Sequence, residues 1–263
     1  MLGILQQDGV NWWAVALGSL QLDPARLPQP LRPGTPIGVV TPNGSAVSGL
    51  AAGTRVVAGG LDHQLAAIGA ELAEVRPDLC ISLGTVLAAV ACDAARVPAP
   101  GVCCLPGRSA DETFRLAFDR RGGGLLESYR THFAPHLAVA DLDRLASDVP
   151  ADAGGVELVW PPDASSPGGL AFRNRSPQHG HGHAVRAILN ASATALAEVS
   201  ARVLHGRRPQ LAAAVGGGAS SALWCGILAE RLGCPVLPAR CTEAAARGAA
   251  LLAAAAGRQP VTP

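Results

Sequence analysis

Several short segments of this sequence set ligand-contacting residue types on turns. Ala58-Gly59-Gly60-Leu61-Asp62-His63-Gln64 places a carboxylate on a glycine-flanked turn, after a short apolar run and before an amphipathic one. A general base needs that exposure and reach. The same carboxylate is equally suited to cap the helix that follows. Ser82-Leu83-Gly84-Thr85-Val86 sets a glycine and a hydroxyl between two apolar runs. Backbone amides at such a turn can approach a phosphate, and an ordinary hairpin uses the same residues. Val215-Gly216-Gly217-Gly218-Ala219-Ser220-Ser221 puts three glycines between a strand-like and a helix-like run. Without Cβ atoms the chain admits a ligand against the backbone, with a helix N-terminus facing it. Tight packing is the alternative use of the same glycines. The spacing is not G-x-G-x-x-G and no acidic residue follows at the ribose-binding distance, which disfavours a dinucleotide fold.

Two further clusters stay open at this level. Gly122-Gly123-Gly124 precedes a helix-like run and serves either as a turn or as a second nucleotide contact. His179-Gly180-His181-Gly182-His183 alternates a metal-ligating type, but no Cys or carboxylate lies close, and a solvated glycine-loosened loop is expected there. His132, His136 and His205 have no partner in sequence, and spacing alone assembles no Ser-His-Asp triad.

The elements that must position these turns follow from periodicity. Residues 35–53 read as turns around short extended pieces, punctuated by Gly38, Gly44, Gly49 and Gly53. Arg55–Ala58 reads as a strand and His63–Ala73 as a helix. Cys80–Leu83 and Leu87–Cys92 form a hairpin, and Val102–Leu105 and Phe114–Phe118 are further strands. Val185, Ile188, Leu189, Leu196, Val199 and Val203 share one face of a helix over 183–204. Strand 211–215, helix 220–232 closed by Gly233, strand 235–237 and a helix 243–256 capped by Thr242 complete the chain. Trp12, Trp13, Val15, Leu17 and Leu20 lie on a short early helix, around Asn11–Leu20, with nothing nearby in sequence to cover them.

Composition removes whole classes of chemistry. The 263 residues contain no lysine, so all 21 basic residues are Arg. A Walker P-loop, a protein-kinase strand lysine and a Schiff base are therefore excluded. Phosphate chemistry here must use backbone amides, Arg and a metal ion. The net charge of +1 argues against a nucleic-acid surface. An apolar fraction of 49 % argues against disorder. Seven cysteines without a C-x-x-C pair read as reduced thiols of a cytoplasmic protein. No run approaches a membrane span of about 18 apolar residues, and Asp8 with no basic leader argues against a signal peptide.

Taken jointly and in order, these segments resemble the FGGY carbohydrate kinase family, in particular its xylulokinase-like members. Gly53–Gln64 resembles the start of that family's second domain, and Ser82–Thr85 its phosphate turn. Val215–Trp224 resembles its adenosine motif, and Glu243–Ala250 its closing helix. The resemblance implies an α/β fold: an actin-like (ribonuclease H-like) ATPase domain with a mixed sheet flanked by helices. It implies residues 1–52 as the remnant of a first domain, 53–258 as the C-terminal, nucleotide-binding domain, and 259–263 as a tail. The implied activity is transfer of the γ-phosphoryl group of ATP, with Mg2+, to a sugar or polyol hydroxyl. The implied roles are Asp62 as catalytic base, Gly84 and Thr85 on the phosphates, and Gly123 and Gly124 as a nucleotide-side pair. Gly217, Gly218 and Ser221 match the adenosine pocket, and no metal ligand is expected on this chain. Two departures stand out. Val86 occupies a position where the family turn usually has Ser, a loss on the order of 1–3 kcal/mol of transition-state binding. The first domain, which carries the other phosphate loop and most sugar contacts, is almost wholly missing. The chain is therefore expected to be a partial chain of a longer kinase, or to work with a separate first domain or as a homodimer, or else to serve as a non-catalytic nucleotide-binding module.

Overall fold

A computed structural model of the chain describes residues 4–6, 11–70, 76–94, 98–162 and 165–257. Its first part holds helix α1 (Ala14–Ser19), strand β1 (Pro36–Val39), helix α2 (Pro42–Ser48) and strand β2 (Arg55–Val57). Strands β1 and β2 form a small antiparallel pair. Helix α2 falls where only turns were expected. Its helical propensity is poor, but its ends are well made: Thr41 Oγ1 accepts from the Gly44 N–H at 3.0 Å, Pro42 stands at the first position, and Gly49 closes it in the left-handed region. Local caps thus outweigh composition.

The main body follows. Helix α3 (Asp62–Gly69) precedes strands β3 (Leu79–Leu83), β4 (Leu87–Asp93), β5 (Cys103–Pro106) and β6 (Thr113–Asp119). Helices α4 (Gly123–Phe133) and α5 (Val139–Ser147) come next, then a two-stranded pair β7 (Glu157–Leu158) and β8 (Phe172–Arg173). The long helix α6 (His181–Val203), strand β9 (Ala212–Val215), helix α7 (Ala222–Leu232), strand β10 (Val236–Pro238) and helix α8 (Ala244–Ala256) end the fold. The six main strands form one mixed sheet in the order β10-β9-β3-β4-β6-β5. Strands β10, β9 and β3 run parallel, whereas β3, β4, β6 and β5 pair antiparallel.

Strand alternation divides the core into two layers. Leu79, Ile81, Leu83, Ala89, Ala212 and Ala214 pack under α4, α5, α6 and α7. Cys80, Ala88, Val90, Ala213 and Val215 pack under α3 and α8. Strand β9 is buried along its whole length, which its Ala-Ala-Ala-Val sequence permits on both faces. The fully buried Arg115 reaches from β6 to the end of α6, where Nη1 and Nη2 donate to the Val203 and Arg202 carbonyls at 2.5 and 3.0 Å. A cation there satisfies orphan carbonyls and the negative end of the helix dipole together.

Several boundaries differ from the sequence reading. Glu243, not Thr242, occupies the position before α8, and no side-chain cap bond is made. Helix α7 starts at Ala222, because Ser220 belongs to a 3-10 turn over Gly217–Ser220. Of the early apolar residues, Leu17 is buried, whereas Trp13, Val15 and Leu20 stay exposed, as do Val47 and Leu50 on and beside α2. All seven cysteines are free. The expected helix end at residues 71–73, Asp8 and the 259–263 tail lie outside the described residues.

Helices α3 and α8 touch backbone to backbone. A Cβ added at Gly69 would overlap the Ala244 carbonyl, and one at Gly248 would overlap that of Leu65. Arg247 Nη1 donates to the Gly69 carbonyl across the same crossing. Gly226, in the exposed middle of α7, has no neighbour near its Cβ position. Gly248→Ala should therefore destabilise the protein by about 1–3 kcal/mol through overpacking. Gly226→Ala should stabilise it by about 0.5–1 kcal/mol. Chemical denaturation of the two variants reads both signs, and equal effects would contradict the packing described. A second expectation concerns acid. Burial works to raise the Glu112 pKa, but hydrogen bonds from Arg108 and Arg76 outweigh it and hold it at about 2, below its ordinary 4.5. The stability this depression contributes is present above about pH 4.5 and lost as pH falls towards 2. Glu112→Gln should flatten the acid limb of a pH–stability curve in that window.

Candidate functional site

Parallel strands β3 and β9 lie side by side and end at the same edge of the sheet. Ligands of open α/β sheets bind at such carboxyl ends. Each of these strands runs into a glycine turn, Gly84-Thr85 after β3 and Gly216-Gly217-Gly218 after β9. Gly216 has φ 87°, a conformation that only glycine adopts without strain. A Cβ at Gly218 would stand 2.5 Å from the Trp224 ring and 2.8 Å from the Leu83 carbonyl oxygen. The two turns are thus packed backbone against backbone.

The third glycine cluster completes this arrangement. Gly123 N–H donates to the Gly84 carbonyl at 2.8 Å, and Gly124 N–H to the Thr85 carbonyl at 3.1 Å. A Cβ at Gly122 would lie 2.7 Å from the Thr85 oxygen. These amides are spent on the turn, so Gly124 braces it from behind while Gly123 also reaches the cavity wall. The N–H groups of Gly84, Thr85, Gly217 and Gly218 make no hydrogen bond among the described residues. Unpaired amides on glycine turns beside a helix start are of the kind that can cradle an anion.

The cradle opens into a cavity of about 560 Å³. Gly84, Thr85, Gly123, Gly217, Gly218 and Ser221 all line it, with Leu126 and Glu127 from α4, Val139 and Asp143 from α5, and Trp224 from α7. No Arg is among the lining residues. Two carboxylates stand on the α4–α5 side. Glu127 is held by Arg130 at 2.6 and 3.0 Å, and those hydrogen bonds lower its pKa. Like charges about 4 Å apart repel by about 4 kcal/mol near a protein surface. An anionic group in this cavity would be repelled least at the glycine turns.

Ser221 caps α7 by accepting from Trp224 N–H at 2.9 Å, and its hydroxyl donates to Asp143 Oδ1 at 2.6 Å. Asp143 is a site residue that sequence reading missed. It sits on the polar side of a helix that had not been recognised, and nothing in its local sequence separates it from Asp141 or Asp148. Behind it, burial first and the Asp143 charge second raise the Cys225 pKa, which keeps the thiol protonated.

Asp62 lies elsewhere. It is the first residue of α3, after Leu61 in the cap position, and its Oδ1 accepts from His63 N–H at 2.8 Å. It is exposed and lines a smaller cavity of about 160 Å³ with Ser82, Gly216 and Glu243. The two cavities flank the β3 and β9 ends: Ser82 and Gly216 face one, Leu83 and Gly217 the other. Buried Gln64 pins the Asp62 turn, donating from Nε2 to the Pro106 carbonyl at 2.6 Å with its Oε1 against Gly60.

The histidine cluster departs from the expected loop. His181 and His183 stand in the first turn of α6, and Gly182 is buried so tightly that a Cβ would overlap the Leu145 carbonyl. His181 Nδ1 meets the Tyr129 hydroxyl at 2.8 Å. Burial, then Arg175 and His136, lower its pKa. Among the described residues no three His, Cys, Asp or Glu side chains are grouped to hold a metal ion.

Comparison with known proteins identifies the family and the fold. The model for the FGGY family of carbohydrate kinases, C-terminal domain, matches residues 28–257. No curated protein matches the sequence. A ligand-bound xylulose kinase from Lactobacillus acidophilus superposes with a TM-score of 0.81 at 19 % identity, over 97 % of this chain and 53 % of that one. A xylulose kinase from Rhodospirillum rubrum matches with 0.72 at 26 % identity, over 93 % and 51 %. A glycerol kinase from Plasmodium falciparum with ADP matches with 0.76 at 12 % identity, over 97 % and 53 %. The chain thus spans about half the length of these structures. Its mixed sheet flanked by helices is the actin-like, ribonuclease H-like ATPase fold, and the chain belongs to the FGGY family of carbohydrate kinases, whose C-terminal domain it carries.

Proposed function

We propose that this chain is the nucleotide-binding half of a kinase that transfers the γ-phosphoryl group of ATP to a hydroxyl of a sugar or polyol. The observation that carries this reading is the convergence of Gly84, Thr85, Gly123, Gly217, Gly218 and Ser221 on one cavity. Its volume of about 560 Å³ lies within the range of about 300–1,000 Å³ of small-molecule sites. The unpaired glycine amides suit phosphate oxygens, and phosphoryl transfer needs positioning and charge stabilisation rather than a lysine. Mg2+ would arrive with the nucleotide and neutralise its phosphates, since this ion is held mainly by phosphates and one or two carboxylates.

Asp62 acts in this reading as the base that takes the acceptor hydroxyl proton. Its exposure on a pinned turn beside the β3 and β9 ends supports that role. The acceptor is covered by a second unit, either an N-terminal domain or another copy of the chain. The half-length match and the exposed Trp13, Val15, Leu20 and Val47 support such a partner. We assign residues 1–52 to the end of a preceding domain and 53–258 to the nucleotide domain, in a cytoplasmic protein. No helix among the described residues is long and apolar enough to cross a membrane. One observation favours a second reading, a non-catalytic nucleotide-binding module: Val86, exposed in the phosphate turn, offers no hydroxyl.

Calorimetric titration with MgATP, followed by an ATP-consumption assay over ketoses and polyols, separates the two. Nucleotide binding with turnover once a first domain is supplied is the expected result. Binding that never leads to turnover favours the module. Gly218→Ala should weaken MgATP binding by about tenfold or more, because its methyl group must displace the Trp224 ring or the Leu83 backbone. Asp62→Ala in the assembled enzyme should lower kcat by about 10²–10⁴-fold and leave ATP affinity unchanged. Undiminished turnover in that variant removes Asp62 from the mechanism.

A further inference from the structure

Two carboxylates line the larger cavity, Glu127, which is paired with Arg130, and Asp143, to which the motifs and the proposed chemistry give no role. Asp143 Oδ1 accepts a 2.6 Å hydrogen bond from the Ser221 hydroxyl, which itself accepts from Trp224 N–H. The Ser221 proton is therefore committed, and one carboxylate oxygen is fixed. The other, Oδ2, makes no hydrogen bond among the described residues. Neighbouring cations do not neutralise it. Arg144 on the same helix pairs with Asp141 at 3.7 Å, and Arg130 is held by Glu127.

A carboxylate accepts hydrogen bonds and repels phosphate, so the parts of a nucleotide that it can bind are the neutral donors of the sugar and the base. Ser221 follows Gly218 by three residues across a 3-10 turn that rises about 2 Å per residue, so it stands within about 6–7 Å of the Gly218 amide, and Gly218, Ser221 and Asp143 line the same cavity. With phosphates on the glycine amides, the next donors along a nucleotide are the ribose hydroxyls.

We propose that Asp143 determines nucleotide specificity in this cavity: its Oδ2 accepts hydrogen bonds from the 2′ and 3′ hydroxyls of a ribonucleoside 5′-polyphosphate, and Ser221 holds the carboxylate in register. The proposal rests on the nucleotide reading of the same cavity. It makes the α5 wall, rather than the Ser221 hydroxyl, the polar contact to the sugar of the nucleotide.

The test is calorimetric titration of the full chain, with Mg2+, using ADP, 2′,3′-dideoxy-ADP and inosine diphosphate, on the wild type and on Asp143→Ala and Asp143→Asn. The wild type should bind ADP about tenfold to a hundredfold more tightly than dideoxy-ADP, the range of a hydrogen bond to a charged group. In Asp143→Ala that ratio should fall to about one, because ADP weakens and dideoxy-ADP does not. Equal affinity of the wild type for ADP and dideoxy-ADP overturns the proposal without needing any variant. So does an equal loss of both ligands in the two variants, which would mean a purely structural role. A change in the ADP-to-inosine-diphosphate ratio with the ribose ratio unchanged also overturns it, by assigning Asp143 to the base. No ADP binding by the wild type overturns both this proposal and the nucleotide reading.

Discussion

Three stretches of backbone meet without intervening side chains at the edge of the sheet, and the site depends on that contact. The turn after β3 is held by the Gly123 and Gly124 amides, and the turn after β9 lies against the Leu83 carbonyl. A Cβ at Gly122 or Gly218 would push these pieces apart. With the carbonyls of Gly84 and Thr85 bound from behind, the turn is fixed by hydrogen bonds rather than by packing of bulky groups. Rigid elements on both sides, strands β3 and β9 and helices α4 and α7, limit how far the cradle can deform.

The same economy appears on the opposite face. Gly69 and Gly248 bring α3 and α8 into backbone contact, and buried Gln64 ties the Asp62 turn to the end of β5. The position of Asp62 relative to the cradle is thus set by the sheet itself, since neighbouring residues of β3 and β9 face opposite layers. The sheet acts as a partition. A group bound at the glycine amides and a group beside Asp62 approach one another only around the strand ends.

Charge is distributed to match. Arginines serve the scaffold: Arg115 finishes α6, Arg121 pairs with Asp119 and Glu198, and Arg108 and Arg76 hold Glu112. None lines the cavity, whose wall carries the two glycine turns and the Glu127 and Asp143 carboxylates. A polyanionic ligand bound there, as proposed, would be oriented by repulsion from the carboxylates as well as by attraction to the amides. It also makes a divalent cation accompanying the ligand chemically sensible.

Much of this was legible in the residues themselves. The alternation of β3 and β4 around Gly84-Thr85, the triple glycine after β9, the Gly233 stop of α7 and the period of α6 are local patterns, and local physics fixed them. So did the absence of lysine, which confined any phosphate chemistry to amides, Arg and metal. Helix α2 was not legible, because its caps Thr41 and Gly49 look like ordinary turn residues until the chain between them is seen to wind. The role of Gly122–Gly124 was also undecided: turn and ligand contact need the same residues, and only the neighbour across the fold shows where their amides point. Asp143 carried no sequence signal, for its partner Ser221 is 78 residues away. The sequence by itself determined where the backbone could turn and what chemistry was forbidden. The tertiary structure decided which turns meet, which amides stay unpaired, and that Asp62 lies across the strand ends from the cradle, because those outcomes depend on contacts between segments that no local pattern records.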